Sequence, residues 1–166
     1  MKKLIPLLFL LPFVVSSCIS GSDHSEENIA LIESYIKSVE SLDHEAMESL
    51  LDENYIGVGP SIGDSTGKNQ AVESWKYNVD NLYEKIEYKL SRNAALIISD
   101  GENQGDWVTK WAELEITYKD DRGAVTIMAN SIYQIKDKKI VKSYTFYNEA
   151  DALEQLGYVF INPNDL

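Results

Sequence analysis

Cysteine occurs once in this chain, at Cys18, histidine twice, at His24 and His44, and arginine twice, at Arg92 and Arg122. One thiol allows no disulfide within the chain. Two separated histidines and no second sulfur leave no nitrogen–sulfur metal set. The acidic pairs Glu26-Glu27 and Asp120-Asp121 read as solvated charges, because Ca²⁺ needs more converging oxygens. Positive charge is also scarce: 15 Lys+Arg stand against 27 Asp+Glu, for a net charge of −12. Such a balance repels phosphate backbones and argues against nucleic acid as a partner. It equally disfavours docking on anionic lipid heads, so any membrane attachment must be covalent. A phosphate-cradling loop is missing too. Gly57-Val58-Gly59-Pro60 leads into a polar loop rather than a helix start carrying Lys and Ser/Thr. No cofactor and no metal is expected.

The N-terminus offers a covalent attachment. Lys2-Lys3 is a basic start, Leu4 to Val15 is an almost unbroken apolar stretch, and Val15-Ser16-Ser17-Cys18 closes it. The apolar run is short of the ~20 residues a membrane-spanning helix needs and has the layout of a secretory signal. Its end resembles the lipobox of bacterial lipoproteins: a branched residue, two small ones, then a cysteine whose thiol takes the diacylglycerol. Residues 1–17 are therefore read as a signal peptide, Cys18 as the lipidated (palmitate-bearing) start of the mature chain, and 18–27 as a flexible tether. Three acyl chains exceed the two signals that stable anchoring requires. Ile19, rather than Asp, follows the cysteine. By resemblance to Gram-negative sorting, this implies the outer membrane of the cell envelope.

From residue 28 to the end the chain reads as one domain. Ile29, Ile32, Ile36 and Val39 fall on a helical stripe, with Tyr35 beside it. Asp43 is the expected N-cap of a short second helix that buries Ala46, Met47, Leu50 and Leu51. Tyr55 to Pro60 is a short strand, and a third helix after Gly67 carries Ala71, Val72, Trp75, Val79 and Leu82 at helical spacing. Beyond it the period becomes two, with strands expected over 85–90, 94–98, 107–118, 124–136 and 140–147. Turns are expected at Lys119-Asp120-Asp121-Arg122-Gly123 and Asp137-Lys138-Lys139. Helices followed by an antiparallel meander make an α+β fold.

That order, the Gly67-led third helix after a Gly/Pro loop, and the ending Lys139-Ile140-Val141 resemble the NTF2-like superfamily, in particular its SnoaL-like branch. The resemblance implies a cone: three N-terminal helices packed on a curved antiparallel sheet, enclosing a cavity. Function does not follow from the fold, which hosts enzymes, binders and transport factors.

Joining Tyr118 to Val125 sets Ile116 beside Ile127, Leu114 beside Ala129, Ala112 beside Ser131 and Val108 beside Ile135 on a largely apolar, concave face. Lys110 then faces Tyr133, and the last strand adds Tyr133 beside Ser143, Ser131 beside Thr145 and Ala129 beside Tyr147. The neutral cluster Ser131, Tyr133, Ser143, Thr145 and Tyr147, with Tyr35 and Tyr55 in reach, is either a self-satisfied core or the polar end of a pocket for a small neutral ligand. On the opposite face, Trp111, Met128, Ile132, Tyr144 and Phe146 form an apolar patch of the kind that marks an interface. A homodimer is expected there unless the segment from Ala150 to Phe160 folds back over it.

The resemblance also implies catalytic positions. Steroid isomerases of the superfamily place an Asp base before a proline and a protonated Asp on a later strand. Here Gly59 and Ser131 hold those places. The His–Asp and Asp-Arg-Asp sets of related enzymes find no counterpart on the concave face, leaving Asp64 or Asp151 as rim carboxylates. The expected function is a lipid-anchored, non-catalytic binding or accessory module. The alternative is a SnoaL-like isomerase, cyclase or hydrolase acting on a small polyketide- or steroid-like substrate. For the anchor the expected outcome is sharp: Cys18→Ser ends incorporation of labelled palmitate, and equal labelling of the variant would refute the lipidation.

Overall fold

The computed structural model describes residues 24–165. The signal segment, Cys18 and most of the tether lie outside the described residues. The expected tether ends early, because the first helix, α1 (Ser25–Glu40), already includes residues 25–27. Glu26 and Glu27 in its first turn and Lys37 in its last complement the helix dipole. Its apolar stripe buries Ile32, Ile36 and Val39. The second helix, α2 (His44–Leu50), begins at the expected cap, with Asp43 accepting from the Ala46 amide at 2.9 Å. Met47 is its one fully buried residue, and Leu51, also buried, opens the first strand instead.

That strand, β1 (Leu51–Val58), pairs with a three-residue β2 (Ser65–Gly67), which the sequence pattern did not reveal. Then come α3 (Lys68–Asn81), β3 (Tyr83–Ile98), β4 (Gly105–Tyr118), β5 (Gly123–Lys136), β6 (Lys139–Tyr147) and α4 (Glu149–Gln155). The six strands form one curved sheet in the order β2-β1-β6-β5-β4-β3. It is mixed rather than wholly antiparallel, because β1 runs parallel to β6. The two strands expected over 85–90 and 94–98 are one. A bulge between Lys89 and Arg92 carries the chain past its polar middle, with Leu90 at φ 47°. Bulges bend strands and raise their twist, which a cone requires.

The expected β4–β5 register is corrected by two residues. Ile116 pairs with Val125, Leu114 with Ile127, Ala112 with Ala129, Lys110 with Ser131 and Val108 with Tyr133. The cause is the turn. Asp120 and Asp121 both have positive φ, 59° and 55°, and Tyr118 pairs with Gly123. A two-residue turn of this kind matches the strand twist, so the five residues expected to turn include the first β5 residue. A two-residue slip keeps every side chain on its own face, so the concave set is unchanged. On β5–β6 the expected pairs Tyr133–Ser143, Ser131–Thr145 and Ala129–Tyr147 are present, while a bulge sets Ile135 against Ile140 instead of Val141.

The concave face carries two apolar clusters. One, at the closed end, gathers Ile32, Ile36, Leu51, Tyr55, Val108, Tyr133, Ile135 and Ile140. The other gathers Val39, Met47, Ile86, Ile116, Val125, Ile127 and Ala152. Ala152 belongs to α4, which packs on this side, tied by Gln155 to both backbone groups of Thr126. The C-terminal segment therefore does not cover the convex patch. Trp111, Met128 and Phe146 stay 40%, 65% and 46% exposed, and Tyr158 to Ile161 are exposed as well. Within the same patch, Ile132 and Tyr144 are half-buried, with Tyr144 stacked on Trp107 at 6.2 Å.

Candidate active site

Over the second cluster, and reaching Tyr133 of the first, the helices and the sheet fail to meet, leaving a cavity of about 350 Å³. Its apolar walls come from Val39 and Met47 on the first two helices, Ile86, Leu114, Ile116 and Ile127 on the sheet, and Leu153 and Leu156 after β6. Six tyrosines reach it: Tyr35, Tyr83, Tyr88, Tyr118, Tyr133 and Tyr147.

Of the residues expected to bind a ligand, Tyr35, Ser131, Tyr133, Thr145 and Tyr147 line this cavity. Tyr55 and Ser143 do not, although Tyr55 borders a smaller pocket beside it. They bond each other, hydroxyl to hydroxyl at 2.6 Å, buried beside the closed end. A Cβ at Gly57 would approach the Tyr55 hydroxyl to 2.8 Å, so a glycine there is what lets the phenol reach Ser143. Ser131 and Thr145 bond at 3.2 Å. Tyr35 meets Tyr133 edge to face at 5.8 Å. Tyr83, Tyr88 and Tyr118 were missed by sequence reading. No register was assigned to the strand expected over 85–90, so Tyr88 was not placed on a face, and Tyr83 lay outside its expected bounds.

The phenols are held neutral. Burial pushes Tyr83 and Tyr133 up to about 12 and raises Tyr35 and Tyr88 further. Crowding of neighbouring phenols adds to this, while the Ser131 hydroxyl partly offsets it at Tyr133. Such a floor donates hydrogen bonds without carrying charge.

Charge appears at the rim. Glu149, in the first turn of α4, is the one carboxylate among the residues lining the cavity. Asp64 stands nearby: a Cβ built on Gly59 would lie 2.1 Å from its Oδ2, so the Asp64 carboxylate fills the space a side chain at 59 would take. Tyr147 is raised first by burial, then by Glu149, Tyr118 and Asp64, which places both carboxylates in its neighbourhood. Asp151 does not line the cavity; its amide is held by the Asn148 side chain at 3.3 Å.

A second pocket of about 180 Å³ shares Tyr35, Met47 and Trp75 with this cavity, and His44 and Glu48 line it as well. The indole nitrogen of Trp75 is buried with no hydrogen-bond partner. Lys110, expected opposite Tyr133, lies opposite Ser131 and is 4% exposed. Its ammonium bonds Ser91 Oγ, reaches Asn93 Oδ1 at 3.3 Å and sits 5.4 Å from the Tyr88 ring centre. Burial lowers its pKa, opposed by Glu33 and Glu40 of α1. Among the described residues no group of His, Cys, Asp or Glu could hold a metal, and no helix is long and apolar enough to cross a membrane.

No family model and no curated protein matches the sequence. Solved structures do match in shape. An LEH-like epoxide hydrolase of M. tuberculosis superposes with a TM-score of 0.62 at 13% identity, covering 80% of this chain and 91% of its own. A protein assigned as a polyketide cyclase in Xanthomonas campestris gives 0.63 at 12%, covering 79% and 97%. A Catenulispora acidiphila protein with a ketosteroid isomerase-like fold, bound to trimethylamine, gives 0.60 at 13%, covering 78% and 93%. The fold is NTF2-like. At these identities the likeness shows the architecture alone, and the site must be argued from its own residues.

The NTF2-like cavity carries a pH consequence. Below pH ~10, the ordinary tyrosine value, Tyr83 and Tyr133 are protonated in both folded and unfolded chains and contribute no pH dependence. Between pH ~10 and about 12 the unfolded chain releases protons that the fold retains, so stability falls as pH rises. Urea unfolding across this range should show that decline, and Tyr133→Phe should lessen it; an unchanged slope in the variant would mean Tyr133 is not held neutral by the fold.

Proposed function

We propose that this domain is a SnoaL-like enzyme of isomerase or cyclase type, acting on a small, neutral, oxygen-bearing substrate of polyketide or steroid character. The observation that carries the reading is the pairing of a neutral phenol floor with carboxylates at the rim of one apolar cavity. A substrate carbonyl accepting from Tyr35, Tyr88 or Tyr133 gains stabilisation as negative charge develops on its oxygen, because fixed donors in a dry site need no reorganisation. Glu149, or Asp64 beside Gly59, is then the general base that removes a proton from the adjacent carbon and returns it. Solved structures of this fold include an LEH-like epoxide hydrolase and proteins assigned as polyketide cyclases, which supports the reading.

Passive binding is the second reading. It is favoured by Gly59 and Ser131 standing where related isomerases have carboxylates, and by the lack of an acidic side chain on the cavity floor. Under either reading the chain is proposed to sit on the outer membrane of a Gram-negative cell envelope, held through Cys18.

Deuterium exchange at the α-carbon of α-tetralone separates the two. With catalysis, exchange in D₂O exceeds the buffer rate, and Glu149→Gln or Asp64→Asn lowers it by about 10²-fold or more, the usual worth of a general base. Tyr133→Phe lowers it as well. Binding of the ketone with no exchange above buffer would reject the enzyme and leave a binding module.

The homodimer is proposed on the exposed convex patch, with Trp111, Met128 and Phe146 at its centre and Ile132 and Tyr144 behind. Light scattering should give a dimer at micromolar concentration, and Trp111→Glu or Phe146→Glu should give monomers. A monomeric parent protein would count against the interface.

A further inference from the structure

The buried, unpartnered indole N–H of Trp75 is the polar group the fold leaves unexplained. A buried donor without an acceptor costs about 1–3 kcal/mol, and such groups are rare enough to need a reason. The ring packs against the rim cluster, a contact that uses its apolar surface and not its donor. No residue of α3 is fully buried, and Trp75 itself is half-buried. Its ring rests against Tyr83 at 5.7 Å and a tilt of 46°. A phenylalanine would keep most of that ring contact without the donor.

Position supplies the reason. Trp75, Met47 and Tyr35 form the wall between the main cavity of about 350 Å³ and the second pocket of about 180 Å³. Met47 is flexible and polarisable, the kind of side chain that yields. α3 is a surface helix whose inward side chains are half-buried, and Trp75 packs from it onto the rim cluster. The indole therefore borders both of the spaces a ligand would occupy.

We infer that Trp75 is a specificity-determining residue. Its indole N–H donates to an oxygen acceptor on the ligand, a carbonyl or ether, and the two pockets on either side of it serve as one site. The inference rests on the cavity being the ligand site, as proposed above. It narrows the ligand class: an apolar body filling the tyrosine-lined cavity must carry an acceptor where it passes α3. A hydrocarbon of the same shape leaves the donor unpaired and is discriminated against.

The test uses the ¹⁵N-labelled protein with α-tetralone and with tetralin, the same bicycle without oxygen. Trp75→Phe assigns the Trp75 indole signal among those of Trp75, Trp107 and Trp111. In the parent protein, α-tetralone should move that signal downfield, as a hydrogen bond forms. Tetralin should perturb the signals of Ile127 and Leu114 on the cavity wall while leaving the indole signal nearly unmoved. Trp75→Phe should weaken α-tetralone about two- to tenfold, the worth of one neutral hydrogen bond, and leave tetralin unchanged. If both compounds bind at the wall and the indole signal responds to neither, or equally to both, the role of Trp75 is overturned while the cavity reading stands. If neither compound perturbs the wall, the cavity reading fails and this inference fails with it.

Discussion

One helix laid across a curved sheet sets the terms for everything else. Along α1, Ile32 and Ile36 belong to the apolar cluster at the closed end, and Val39 belongs to the cluster toward the rim. Burying such side chains contributes about 1.5–3 kcal/mol each, so the helix is held at both places. A sheet bent by bulges cannot follow a straight helix between them. The space left over is the cavity, and Tyr35, midway along the stripe, points its ring at the opposite strand's Tyr133. The cavity is thus a consequence of joining a rigid rod to a curved wall, and the side chains that face it are those able to span an uneven gap.

Tyrosine suits that gap for two reasons. Its ring supplies apolar surface to the walls, and its hydroxyl needs only one partner to be tolerated when buried. At the closed end those partners are internal, as Tyr55 with Ser143 shows. Nearer the open side, hydroxyls and an indole remain for something else to bond. The protein keeps its large negative charge out of this space: the one lining carboxylate, Glu149, is at the exposed end. The buried cation, Lys110, is turned aside to Ser91 and Asn93 at the β3 bulge, where two neutral oxygens accept its hydrogen bonds.

Much of this was legible in the sequence, and the reason is periodicity. The α1 stripe, the Asp43 cap and the alternation along β4 to β6 each follow from local spacing, so the elements and their faces could be read directly. The β4–β5 register was not, because it depends on whether Asp120 and Asp121 adopt positive φ, which neither residue type dictates. The error was harmless to the face and harmful to the pairs, since a slip of two preserves alternation. Glu149 was out of reach for another reason. It lies one residue past the α4 cap, and α4 folds back onto the sheet only because Ala152 and Leu156 find the rim cluster. No local signal announces a contact made that far along the chain.

The same contrast explains why the site is asymmetric. Its closed end is built from strands and α1, whose positions are fixed by sheet hydrogen bonds and by fully buried isoleucines. Its open side is built from α3, which buries no residue completely, and from the seven-residue α4. Regions with few buried apolar side chains open at lower free energy than the core. Under the proposed function, α3 and α4 are the side on which a ligand enters, and the preformed phenols are met last. The floor is neutral and built on the best-buried elements, whereas Trp75 and Glu149 stand on the two helices with the fewest buried residues. Under that reading, discrimination between ligands of similar shape falls to the wall at α3, where the Trp75 indole N–H is the buried side-chain donor left without a partner among the described residues.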